Sequence, residues 1–70
     1  MTAERKLKFV GLDSWSRPVY EDKNGRFWKD INLGEGTPSI YKSYPCDEFD
    51  GEPDYPIKGE YILINQYRRK

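Results

Sequence analysis

Residues 17–33, R-P-V-Y-E-D-K-N-G-R-F-W-K-D-I-N-L, set two apolar segments on either side of an Asn24-Gly25 dipeptide. Asn and Gly tolerate the positive φ of a tight chain reversal, so the pattern predicts a β-hairpin. Val19, Tyr20, Phe27, Trp28 and Ile31 are aromatic or β-branched and suit a pleated, half-buried surface. A two-residue loop would place Asp22 opposite Phe27 and Val19 opposite Asp30, leaving apolar groups against charges. A four-residue loop over 22–25 places Tyr20 opposite Phe27 and Val19 opposite Trp28. Such directly opposed pairs contribute about 0.2–1 kcal/mol each. The longer loop is therefore expected, ahead of a three-residue loop with a bulge. Asp22 is expected to accept hydrogen bonds from the turn backbone, with Gly25 left-handed.

Working outward, residues 1–5 read as a frayed terminus. Residues 6–12, K-L-K-F-V-G-L, alternate, with Leu7 and Phe9 facing one way and Lys6 and Lys8 the other; this predicts a half-buried strand. Pro18 starts the second strand without donating to a ladder, and residues 27–33 form the third. Residues 34–38 are a turn and 39–43 a short fourth strand. Residues 44–56 hold three prolines and five acids, and predict a long loop pinned by Tyr44, Phe49 and Tyr55. Residues 60–66, E-Y-I-L-I-N-Q, are apolar on both faces and predict a central strand. A C-terminal helix is the competing reading, disfavoured by the missing N-cap and by Ile62 and Ile64.

These elements make one small all-β domain spanning residues 1–70, expected as an antiparallel sheet or partly open barrel of four to five strands. Its expected core is Val19, Phe27, Ile31, Leu33, Phe9 and Ile62 or Ile64. A 70-residue chain buries only about 60% of its unfolded surface. With 16% aromatic residues, rings take the place of scarce aliphatics in that thin core.

Twelve basic and twelve acidic residues cancel, so no global field draws the chain to nucleic acid or to an anionic membrane. There is no run of eighteen apolar residues and no secretory h-region, which predicts a cytoplasmic protein. The lone Cys46 has no internal disulfide partner and fits a reducing compartment.

The chain has no histidine, which removes Ser-His and Cys-His pairs and leaves one Cys as the lone soft zinc ligand. Its glycines match no phosphate-binding loop, since Gly34-Glu35-Gly36 runs into Thr-Pro. The carboxylates Asp50 and Glu52 lie in a segment offering little water-excluding volume, and the acidic run lacks the calcium-loop spacing. No catalytic, metal or cofactor residue is therefore expected.

Elimination leaves binding. Tyr, Trp and Arg dominate interface hot spots, which makes Trp15, Arg17, Tyr20, Trp28, Tyr44, Asp50, Glu52 and Asp54 the candidate residues for a protein partner. An edge strand offers a second route, pairing with a partner or a second copy. The alternatives are single-stranded nucleic acid on an aromatic sheet face, or an acidic loop that imitates phosphates and inhibits a nucleic-acid-binding protein. The phrases 15–19 (W-S-R-P-V), 24–32 (N-G-R-F-W-K-D-I-N) and 49–54 (F-D-G-E-P-D) resemble those of short uncharacterised bacterial proteins carried on mobile elements and prophages. That resemblance covers residues 7–58 and implies a small accessory or regulatory protein, acting on a host or phage factor.

Overall fold

The computed structural model describes residues 5–45 and 47–69. The expected fraying of residues 1–4 and the state of Cys46 lie outside the described residues. Six strands follow in chain order: β1 (Arg5–Leu12), β2 (Pro18–Glu21), β3 (Phe27–Asp30), β4 (Ile40–Tyr44), β5 (Glu52–Pro56) and β6 (Tyr61–Ile64). Arg5 is thus already part of β1, paired with Tyr61, rather than part of a frayed end. The strands form one open sheet in the order β5-β4-β3-β2-β1-β6. All neighbours are antiparallel except β6, which runs parallel to β1 with Leu7 beside Leu63. The all-β expectation holds and the described residues contain no helix. The sheet is mixed rather than antiparallel, has six strands rather than four or five, and does not close.

The central hairpin turns at Asn24-Gly25, through the three-residue loop. Asp22 N–H donates to Arg26 O and Gly25 N–H to Asp22 O, with Gly25 at φ 78°. The Asp22 carboxylate caps the turn by accepting from the Asn24 and Arg26 amides and from the Trp28 indole Nε1 at 3.0 Å. Burial by itself raises the Asp22 pKa, but these bonds outweigh it and hold the carboxyl below its ordinary value. The register is accordingly Tyr20 opposite Trp28 and Val19 opposite Lys29, one residue away from the four-residue-loop expectation. A slip of one residue exchanges the faces of every partner. Tyr20 and Trp28 thus share one face, while Val19, Phe27 and Lys29 share the other.

Strand β3 ends at Asp30 rather than running to Leu33. The buried Asp30 carboxylate accepts hydrogen bonds from the amides of Asn32, Gly34 and Ser39, which turns the chain out of the sheet. Residues 44–56 are not one loop. A turn-rich segment is closed by Glu48 N–H to Pro45 O and Gly51 N–H to Glu48 O, and then β5 joins the sheet. Phe49 pins that segment, but Tyr44 and Tyr55 are exposed. At Gly51 the chain approaches β4 so closely that a Cβ would meet Ser43 Oγ and the carbonyls of Tyr44 and Pro45.

Strand β6 is an edge rather than a central strand, so Ile62 and Ile64 are exposed on its outer face. Ile31 is exposed too, and none of these three belongs to the core. The apolar core on one face is Leu7, Tyr20, Trp28 and Ile40, with Phe9, Ile57, Tyr61 and Leu63 packed against it. Phe9 meets Tyr20 edge-on at 5.7 Å and stacks on Tyr67 at 5.3 Å, while the Tyr67 amide donates to the Tyr20 hydroxyl. Burial raises the Tyr20 pKa, with that amide opposing it. The C-terminal segment thereby covers this face, and Arg69 N–H reaches Gly34 O.

Candidate functional site

The opposite face holds a buried polar cluster. Lys29 stands beside Val19 and is fully buried. Its Nζ donates to Asp13 Oδ2 at 2.6 Å and to the Phe49 carbonyl at 2.6 Å, so the segment around Phe49 acts as its lid. Phe49 fits against Gly11 because no Cβ stands there; one would lie 3.3 Å from the ring. Asp13 Oδ2 also accepts from Arg17 Nε at 2.8 Å, and Oδ1 accepts from the amides of Trp15 and Arg17, each at 2.9 Å. Burial raises the Asp13 pKa, but the bonds from Lys29, Arg17 and Trp15 outweigh that and lower it from 3.8 to about 2.

This cluster fixes the turn at residues 13–16. Ser16 N–H donates to Asp13 O at 2.9 Å, and Ser16 takes a left-handed φ of 63°, a conformation that costs a non-glycine residue about 1–3 kcal/mol. On top of the turn Trp15 is 69% exposed, with the Arg17 guanidinium 6.0 Å from its ring centroid. Asp50 Oδ1 accepts from the Ser14 amide at 2.9 Å, and Arg17 Nη1 reaches Glu52 Oε1 at 3.5 Å. Glu52 is in turn the register partner of Tyr44, itself 66% exposed. Arg17 Nη2 is buried without an acceptor among the described residues, a deficit worth about 1–3 kcal/mol.

Of the eight residues expected to bind a partner, Trp15, Arg17, Asp50 and Glu52 therefore meet at one end of the sheet, with Tyr44 paired to the last of them. Asp54 is exposed on the edge strand β5. Tyr20 and Trp28 are corrections: both are core residues, 0% and 6% exposed, because the hairpin register turns them inward. Arg17 is largely buried as well, a support for Trp15 more than a free contact.

A second feature, unheralded in the sequence, lies on the Trp28 face. A cleft of about 280 Å³ is lined by Arg5, Trp28, Lys42, Tyr55, Pro56, Ile57 and Lys58. The Arg5 guanidinium lies 5.0 Å from the Trp28 ring centroid and the Lys42 ammonium 5.8 Å from that of Tyr55. Residues from four strands and the connection after β5 meet here only because of the order in which the strands lie, which no local pattern encodes. Among the described residues no group of three His, Cys, Asp or Glu is placed to hold a metal ion, and no helix is long and apolar enough to cross a membrane. Compared with known protein families, curated proteins and solved structures, the chain matches none.

Proposed function

We propose that this is a non-enzymatic protein-interaction module that docks a partner on the Trp15 surface. The observation that carries this reading is a tryptophan 69% exposed on a turn made rigid from beneath. Exposing so large an apolar ring is unfavourable for the free protein, and a partner pocket would remove it from water. Most interfaces lose affinity by ordering loops on binding; here the Asp13 carboxylate has already ordered the turn. Arg17 stands beside the ring, with Glu52 on Arg17 and Asp50 on the Ser14 amide, charges of both signs that suit a polar rim. The accessory or regulatory role implied by the resemblance to small mobile-element proteins belongs to the same proposal.

The two sheet edges differ. Strand β5 carries Pro53 and Pro56, which cannot donate to an added strand. Strand β6 has no proline and exposes Ile62 and Ile64, so any strand addition, by a partner or a second copy, belongs there.

The test is a quantitative pulldown from the source cells with wild-type and Trp15→Ala baits. Trp15→Ala is expected to weaken the partner by about 2 kcal/mol or more, roughly thirtyfold. The melting curve should move little, since the ring is 69% exposed and lies outside the core cluster, and such surface changes stay within about 0.5 kcal/mol. Equal retention of every captured protein by both baits, or no captured protein at all, contradicts the proposal.

A further inference from the structure

We propose that the cleft between Trp28 and Tyr55 binds a nucleotide unit of single-stranded nucleic acid. Its seven lining residues include three cations, Arg5, Lys42 and Lys58, and no carboxylate, although the whole chain carries equal numbers of each sign. The positive field is therefore local, and a net charge of zero conceals it. Asp22, at the indole nitrogen of Trp28, is engaged by the hairpin turn.

An anion alone would need only the cations. The apolar lining of Pro56 and Ile57 and the exposed ring of Tyr55 ask for an apolar, planar group as well. A nucleotide combines the two: phosphate oxygens toward Lys42 and Lys58, and a base stacked on Tyr55. About 280 Å³ is small for a ligand cleft and holds one such unit, its neighbours lying along the open sheet surface. Trp28 contributes as a wall rather than a stacking platform, since it is buried and covered by Arg5. An acidic peptide would satisfy the cations and leave Tyr55 idle. Trp15 does not line this cleft, so each proposal is tested by variants that leave the other site intact.

The experiment is fluorescence anisotropy of the full chain with a labelled thymidine dodecamer. Three cations predict a log–log salt slope near −2, a weakening of about twentyfold between 50 and 200 mM salt. Lys42→Ala/Lys58→Ala should flatten the slope to about −0.7. Tyr55→Ala should weaken binding by about 5- to 150-fold, the loss of one stacked base. Trp15→Ala should leave it unchanged. Should the double variant fold poorly by circular dichroism, the single exposed change Lys58→Glu tests the same dependence on charge, and it too should weaken binding. Absence of binding at low salt, or binding insensitive to the lysine and Tyr55 changes, overturns the proposal. So does displacement by polyglutamate as effective as by unlabelled dodecamer, which would mark the cleft as a generic acidic-peptide site.

Discussion

Replacing Trp28 by alanine is expected to lower stability by about 3–5 kcal/mol, a cost typical of truncating a buried aromatic. A 70-residue chain has about 3.5–10 kcal/mol in total, so the variant should be partly or wholly unfolded at ambient temperature. Three losses coincide. The ring leaves a void against Tyr20, Leu7 and Ile40, Asp22 loses the indole donor that ties the turn to the sheet, and Arg5 loses the surface it covers. Trp28→Phe should recover part of the packing and none of the Asp22 bond. Thermal unfolding by circular dichroism checks this, with a fall in Tm of at least about 12 °C for the alanine variant. A Trp28→Ala protein as stable as wild type would mean that the ring is not in the core.

The second large effect concerns Asp13. Removing this carboxylate by Asp13→Ala leaves the Lys29 ammonium buried with only the Phe49 carbonyl, and breaking a buried pair from one side costs about 3–5 kcal/mol. Asp13→Ala/Lys29→Met removes both charges and keeps much of the volume, so it should be markedly more stable than Asp13→Ala alone. That sign of coupling separates an ion pair from simple loss of a turn residue. The same carboxylate sets an acid limit. Its pKa is about 2 in the folded chain against 3.8 unfolded, so its contribution is fully present above pH about 4 and is lost as pH falls through about 2. The loss amounts to about 2 kcal/mol, with Asp22, also depressed, adding in the same direction. Urea unfolding across that pH range should show the decline in wild type and a shallower one in Asp13→Asn. A wild-type midpoint that is flat from pH 5 to pH 2 would contradict the buried pair.

The parts of the fold legible in the sequence are those decided by neighbours in the chain. Alternation put Leu7 and Phe9 on the core side of β1, Pro18 marked the start of β2, and Asp22 with Gly25 marked the turn. The hairpin register was not decided locally. Opposing aromatic and β-branched side chains favours the four-residue loop by only tenths of a kcal/mol per pair. Lys29 reaching Asp13, sixteen residues away, and the Trp28 indole reaching Asp22 are worth more. For the same reason Phe27 and Ile31 read as core, whereas a lysine occupies the buried position opposite Val19. The proline-rich composition of residues 44–56 hid β5, since Pro53 and Pro56 are compatible with a strand only at an edge. In the candidate surface, Trp15 and Arg17 were readable as hot-spot types, and Asp50 and Glu52 joined them through the chain's return along β5. The cleft residues Arg5, Lys42, Tyr55 and Lys58 come together only through the strand order, which carries no local signature.

The hairpin register underlies both proposals, because it buries Trp28 and Lys29 together and leaves Trp15 as the exposed tryptophan. Proton NMR tests it directly. The Asp22 amide bond to Arg26 O makes the Val19–Lys29 and Glu21–Phe27 pairs non-hydrogen-bonded, with their Hα atoms facing each other closely. Strong Hα–Hα cross-peaks between Val19 and Lys29 and between Glu21 and Phe27 are the expected result. Cross-peaks that instead join Val19 to Trp28, or Tyr20 to Phe27, would contradict it.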